Sequence, residues 1–121
     1  MEKIIKIAEY EIPVKSTAAS LISYKANFGR DGLQDLMRMA KSLKGFKGDM
    51  TDDMVGGIDL DTFFRFMWVF AKAADPQIKP IEQWLEGYDV APLDFAFAAI
   101  PQIMDLLGKT VKSTVPMKSK N

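Results

Sequence analysis

The 121-residue chain contains no cysteine and no histidine. Without cysteine there is neither a disulfide nor a thiolate metal site. Without histidine the commonest general base and the commonest transition-metal ligand are both missing. A net charge is also lacking, because sixteen basic residues balance sixteen acidic ones. No overall field therefore favours nucleic acid or an anionic membrane as partner. Met1 leads into Glu2 and an alternating segment rather than a basic run followed by an apolar one, which argues against a signal peptide. The longest apolar stretch, 63–74, is broken by Arg65 and Lys72 and is too short to span a bilayer. These absences lead to the expectation of a cytoplasmic protein with no cofactor and no catalytic machinery.

What is present is apolar. Residues of hydrophobic type make up 48% of the chain, with eight Phe, eight Met and two Trp, enough for one cored domain. Charge is unevenly spread. Residues 1–108 hold twelve basic and sixteen acidic groups, a net of −4, whereas Lys109, Lys112, Lys118 and Lys120 stand with no acid among them. The expected organisation is a mainly α domain of the α+β type over 1–108, followed by a disordered basic tail over 109–121.

Ile4, Ile5 and Ile7, then Tyr10, Ile12 and Val14, flank Ala8-Glu9 and predict an N-terminal β-hairpin, with Pro13 confined to a sheet edge. Ser16 or Thr17 can cap a helix running to about Asn27. Asp31 can cap a second one, whose Leu33, Leu36, Met37, Ala40 and Leu43 recur at helical spacing and predict its buried face. The segment 44–57, with four glycines, reads as a surface loop. Asp59 or Asp61 then caps a helix over 60–74 that is apolar round most of its girth, the mark of a central core helix or of an interface. Pro80 opens a short helix closed by Gly87, and a last helix over 93–107 places Phe97, Ile100, Met104 and Leu107 on one face. Pro101 predicts a kink or a break near Ile100, and Gly108 a C-cap.

Few groups offer chemistry. Asp52-Asp53 and Asp59-Leu-Asp61 could gather round Mg²⁺ only if they converged, and capping explains Asp59 and Asp61 without a metal. Gly45-Phe46-Lys47-Gly48 has the GxxG spacing of RNA-clamping loops, but nothing around it resembles the rest of such a module. Met39, Met50 and Met54 fit no core stripe. Together with Met37 they are candidates for an adaptable surface that takes partner helices.

Three blocks carry a resemblance. Tyr24-x3-Phe28-Gly29-Arg30-Asp31 follows the hairpin, Trp68-x2-AKAAD ends at Asp75, and IEQWLEGYD spans 81–89. In this order they resemble the tail assembly chaperones of siphophages and related prophages of Gram-positive bacteria. The resemblance implies a non-catalytic assembly factor of the bacterial host cytoplasm, absent from the mature virion. It would bind the long helical tape measure protein and help recruit major tail tube subunits around it. It also implies that Tyr24, Phe28, Gly29, Asp31, Trp68, Lys72, Asp75, Trp84 and Leu85 define the fold rather than touch the partner. Self-association would suit binding along a filament. A head–tail connector or tail completion protein of the virion is the alternative.

Such chaperones are often made in two lengths by a ribosomal frameshift. The gene is therefore expected to read A-AAA-AAC across Ser119, Lys120 and Asn121, followed by an overlapping −1 frame. Reading those bases checks this, and any codon that breaks the run removes the site.

Overall fold

The computed structural model describes residues 1–42 and 59–111. Strands β1 (Glu2–Ile7) and β2 (Tyr10–Lys15) form an antiparallel hairpin. Helices α1 (Ser20–Phe28), α2 (Gly32–Ser42), α3 (Leu60–Ala74), α4 (Ile81–Glu86) and α5 (Pro92–Val111) follow. The expected α+β class, mainly helical with an N-terminal hairpin, is what the chain adopts.

The hairpin buries one face. Ile5, Ile7, Ile12 and Val14 are almost wholly inaccessible, while Glu2, Ile4, Lys6, Glu11 and Pro13 point outward, as a period of two requires. Ala8 opens the two-residue turn with φ +53°, a conformation that costs a non-glycine residue something. Met1 and Ser16 exchange both backbone hydrogen bonds, at 2.8 Å each. Counting along the ladder, Ile4 and Pro13 form a pair that does not hydrogen-bond across it. The peptide nitrogen of Pro13 therefore faces the outer edge, where its missing N–H costs no ladder bond. On the outer edge of β1, the Gln102 side chain of α5 accepts from the Lys6 N–H at 2.8 Å and donates to the Lys6 carbonyl at 2.7 Å.

Helix α3 is the centre of the molecule. It packs against β2, α1, α2 and α5, and every residue from Phe66 to Ala71 is buried. The all-round apolar character of this segment is thus core. Asp59 caps it through Oδ1, which accepts from the Thr62 N–H at 3.1 Å. Asp75 closes it: its N–H donates to the Ala71 carbonyl and its carboxylate accepts from the Gln77 N–H. The expected Asp31 cap also forms, with Oδ1 accepting from the Gln34 N–H at 3.0 Å.

Four local expectations need correction. Helix α1 starts later than predicted, with Ala19 at the N-cap and no side-chain cap. Ser16 instead continues the hairpin, and Thr17 Oγ1 accepts from the Ala19 N–H just before the helix. Pro80 is the N-cap of α4 rather than its first residue. Helix α5 is one element that runs through Pro101 and past Gly108, so Gly108 is no C-cap. Its buried face is Phe95, Ala96, Ala99, Ile100, Ile103 and Leu106, with Phe97 half-buried and Met104 37% exposed. Two of these are alanines, and a reading that weights only large apolar residues misses such a face.

The remaining structural theme is polar. Asp35 on α2 has a carboxylate only 3% exposed. Arg30 grips it with two bonds, Nε to Oδ2 at 2.6 Å and Nη2 to Oδ1 at 2.9 Å. The Tyr24 hydroxyl donates to Oδ2 at 2.6 Å, and Arg38 Nη1 lies 3.2 Å from Oδ1. From α3, Arg65 donates to the Tyr24 oxygen at 2.8 Å and to Thr62 Oγ1 at 3.0 Å. Arg38 also reaches Asp59 Oδ2 at 2.8 Å, so one guanidinium joins α2 to the capped start of α3. The hydrogen bond from Arg30, followed by that from Tyr24, outweighs burial and holds the Asp35 carboxyl well below the ordinary carboxylate range. Burial works against Asp59, but the bonds from Arg38 and Thr62 prevail and lower it as well.

Both carboxyls are depressed in the folded state, so what they add to stability is complete above their unfolded value, near about 3.9. It is lost as pH falls below that and through the folded values. Urea midpoints should therefore fall between about pH 4 and pH 2. Asp35→Asn should cost about 2–4 kcal/mol at pH 7 and flatten that acid limb. The lower end reflects Arg30 and Arg38, about half exposed, which return to water once freed. Equilibrium unfolding of both proteins across this range measures it.

Candidate partner-binding surface

The turn between α1 and α2 shapes the surface beside it. Gly29 ends α1 at φ +69°, in the left-handed region where a side chain is strained, and its N–H donates to the Lys25 carbonyl at 2.8 Å. Gly32 then starts α2 hard against α1. A Cβ there would lie 3.1 Å from Leu21 Cδ2 and 3.3 Å from both the Leu21 carbonyl oxygen and Tyr24 Cδ1. The two helices meet closely, with Asp35 and Tyr24 sealed beneath them.

Outside that seal the surface is apolar. Ile22 is 74% exposed, the highest value among the large hydrophobic residues described, and Leu33 and Met37 are 48% and 54% exposed. Leu21, Ile22, Ala26, Gly32 and Leu33 line an open depression of about 410 Å³, with Lys25 and Asp31 at its rim. Met37 lies one helical turn beyond Leu33 on the same side of α2. Among the described residues neither Lys25 nor Asp31 has an ion-pair partner. The patch is thus apolar, with Lys25 and Asp31 at the border of its depression, an arrangement suited to protein contact.

The periodicity of α2 predicts that this face is buried. Leu33 and Met37 belong to the expected inward stripe, yet the helix turns Gly32, Asp35, Leu36 and Met39 inward instead. The cause is the arginine clamp. Burying Asp35 rotates the helix, which brings Met39 into the core and leaves Leu33 and Met37 outside. Met39, a predicted surface contact, is fully buried and cannot serve as one. Met50 and Met54 lie outside the described residues, as do Asp52-Asp53 and the GxxG segment. Sequence reasoning missed Ile22 altogether. The signal lay in α1, where Ile22 sits on the side opposite Tyr24 and can face only solvent.

The motif residues occupy packing and capping positions. Tyr24 stacks on Phe66 with ring centroids 4.3 Å apart, and Phe28 meets Tyr24 and Trp68 edge-on at 5.4 and 5.6 Å. The Trp68 indole N–H donates to the Lys79 carbonyl at 2.9 Å, and Lys72 lies over its ring at 5.3 Å. Burial raises the Tyr24 hydroxyl above its usual value, which keeps it a hydrogen donor to Asp35. Trp84 sits apart from this stack, edge-on to Tyr88 at 5.3 Å, with Leu85 half-buried beside it. A second, smaller apolar hollow of about 180 Å³ lies there, lined by Phe64, Leu85, Tyr88, Val90, Pro92 and Phe95.

Asp59 spends its carboxylate on Thr62 and Arg38, and Asp61 is exposed to water. Among the described residues no three acidic groups gather as a metal site would need. No helix of these residues is long and apolar enough to cross a membrane. The chain was compared with family models, curated proteins and solved structures, and it matches none of them.

Ile22→Glu and Met37→Glu should each leave stability within about 0.5 kcal/mol, because both side chains face water. Met39→Ala should cost about 2–4 kcal/mol, because it opens a cavity in the core. Thermal and urea unfolding of the three variants distinguishes surface from core on α2.

Proposed function

We propose that the protein is a non-catalytic tail assembly chaperone that binds the tape measure protein, keeps it soluble and helps bring major tail tube subunits to it. The observation that carries this reading is the exposed apolar strip of Ile22, Leu33 and Met37, with charge only at its rim. A long helix presents apolar side chains at i, i+3, i+4 and i+7, and a shallow apolar channel between two helices accepts such a stripe. The resemblance carried by the three sequence blocks supports the tape measure protein as that partner. Thioether and aliphatic side chains can repack against many successive turns, which suits a partner that repeats along its length. Work of this kind belongs in the cytoplasm of a bacterial host, and the finished particle would not contain the protein. A longer frameshifted form would carry the contact with the tube protein.

Co-expression with a tape measure protein, whose gene is expected downstream of this one, tests the proposal. The chain should keep that protein in the soluble fraction and co-purify with it. The double variant I22E/M37E should lose at least tenfold in affinity, which corresponds to about 1.4 kcal/mol. Mass spectrometry of purified particles should find no copy of this chain. Its presence there in stoichiometric amount would point instead to a connector or completion protein.

A further inference from the structure

The smaller hollow, where α3, α4 and α5 meet, combines apolar walls with neighbours of one charge sign. Phe64, Leu85, Tyr88, Val90, Pro92 and Phe95 line it, and all but Phe95 are partly open to solvent. Its volume of about 180 Å³ is below the roughly 300 Å³ at which pockets for small molecules begin, so it suits a single side chain of a peptide. Glu86 follows Leu85, Asp89 stands between Tyr88 and Val90, Asp94 precedes Phe95, and Asp61 lies one helical turn before Phe64. These acids are exposed, and none has an ion-pair partner among the described residues. Within a helical turn of the lining residues along the chain the one cation is Arg65, and its guanidinium is spent on Tyr24 and Thr62. Residues 80–108 contain no basic residue at all. The complement is written in the same sequence, where Val115, Pro116 and Met117 stand between Lys112 on one side and Lys118 and Lys120 on the other, with no acid among them. From this charge complementarity we infer that the hollow takes residues 112–120 of a second copy of the chain.

Reach decides for a second copy. Phe95 and Val111 lie on one helix, α5, and the rise between them is about 24 Å at about 1.5 Å per residue. Met117 stands six residues beyond Val111, which is about 21 Å of chain even when fully stretched. Within one molecule the apolar triplet therefore falls short of the hollow, whereas a neighbour's triplet enters from solvent. In the complex the Met117 thioether packs among Phe64, Tyr88 and Phe95, as sulfur does against aromatic rings. The lysines on either side meet Glu86, Asp89 and Asp94. Each copy offers one hollow and one segment, so the contact is head-to-tail and continues from copy to copy instead of stopping at two. An interface this small is weak, with a dissociation constant of about 10–100 µM. It uses no residue of the α1–α2 face, so it stands or falls separately from the proposed function.

Sedimentation velocity of the full chain from about 5 to about 500 µM, loading concentrations chosen to bracket that range, reads the outcome. The wild type should pass from monomer to species larger than a dimer, and association should weaken several-fold between about 0.05 and about 0.5 M salt. M117D and the double variant E86K/D89K should each lose about tenfold or more in association, with unchanged far-ultraviolet circular dichroism spectra. The Asp89 N–H, which donates to the Tyr10 hydroxyl, is untouched by the second variant. An equimolar mixture of the two should form a dimer and go no further. There M117D supplies an intact hollow and E86K/D89K an intact segment, so one contact forms and neither end can extend it. Recovery in the mixture separates a lost contact from lost folding. A wild type still monomeric at the top of the series overturns the inference and leaves the hollow to another protein. So does a wild type that stops at the dimer, or a mixture no more associated than its components. A monomer in which a carbodiimide joins Lys118 or Lys120 to Glu86 or Asp89 also overturns it, because the segment then lies on its own molecule.

Discussion

A single buried carboxylate organises the helical half of this protein. Asp35 cannot enter the interior as a charge unless something offsets its lost hydration. The chain meets that cost with Arg30 from the turn, Arg38 from the same helix and the Tyr24 hydroxyl from α1. The network then spreads outward. Tyr24 stacks on Phe66, Arg38 continues to Asp59, and Arg65 links Tyr24 to Thr62. The rotation of α2, the packing of α1 on α3 and the start of α3 are all set by one requirement, that Asp35 be fully satisfied. Among the described residues no buried side-chain polar atom is left without a partner. A network in this condition rigidifies and specifies an arrangement, whereas a partly filled one would weaken it.

The sequence disclosed the elements better than their orientation. The hairpin, the caps at Asp31 and Asp59, and the central helix over 60–74 follow from alternation, capping residues and apolar density, all local properties. The buried face of α2 does not. A hydrophobic stripe of Leu33, Leu36 and Met37 is a sound expectation while the acidic residue beside it is assumed to seek water. Asp35 overrides the stripe because Arg30 lies five residues earlier and Arg65 comes from another helix. Only the tertiary fold brings those guanidiniums together. The face of α5 is hidden for a different reason, since Ala96 and Ala99 contribute by being small. The surface patch is illegible for the same reason as α2: helical spacing assigns Leu33 and Met37 to the core.

Stability and surface chemistry are therefore linked. Turning Asp35 inward and exposing Leu33 and Met37 are two aspects of one helix rotation. A chain that simply maximised burial would turn α2 the other way and lose both the clamp and the patch. An exposed apolar strip costs solubility unless another surface covers it. The motif residues lie beneath or beside this strip rather than on it. Tyr24, Phe28 and Trp68 fix the helices, while Ile22, Leu33 and Met37, none of them in the motifs, face outward. On α1 and α2 the packed and the exposed side chains thus occupy opposite sides.

The Gln102 amide presents to the Lys6 peptide one acceptor and one donor, as the backbone of a neighbouring strand would. A two-stranded hairpin has two open edges, and proteins commonly guard such edges against pairing with other chains. Here the guard on β1 is a side chain borne by α5, the last helix of the fold. Its protection exists only after α5 has docked. During synthesis Lys6 emerges 96 residues before Gln102. Throughout that interval the edge is unguarded, so the order in which the chain is made exposes a pairing surface that the finished molecule closes.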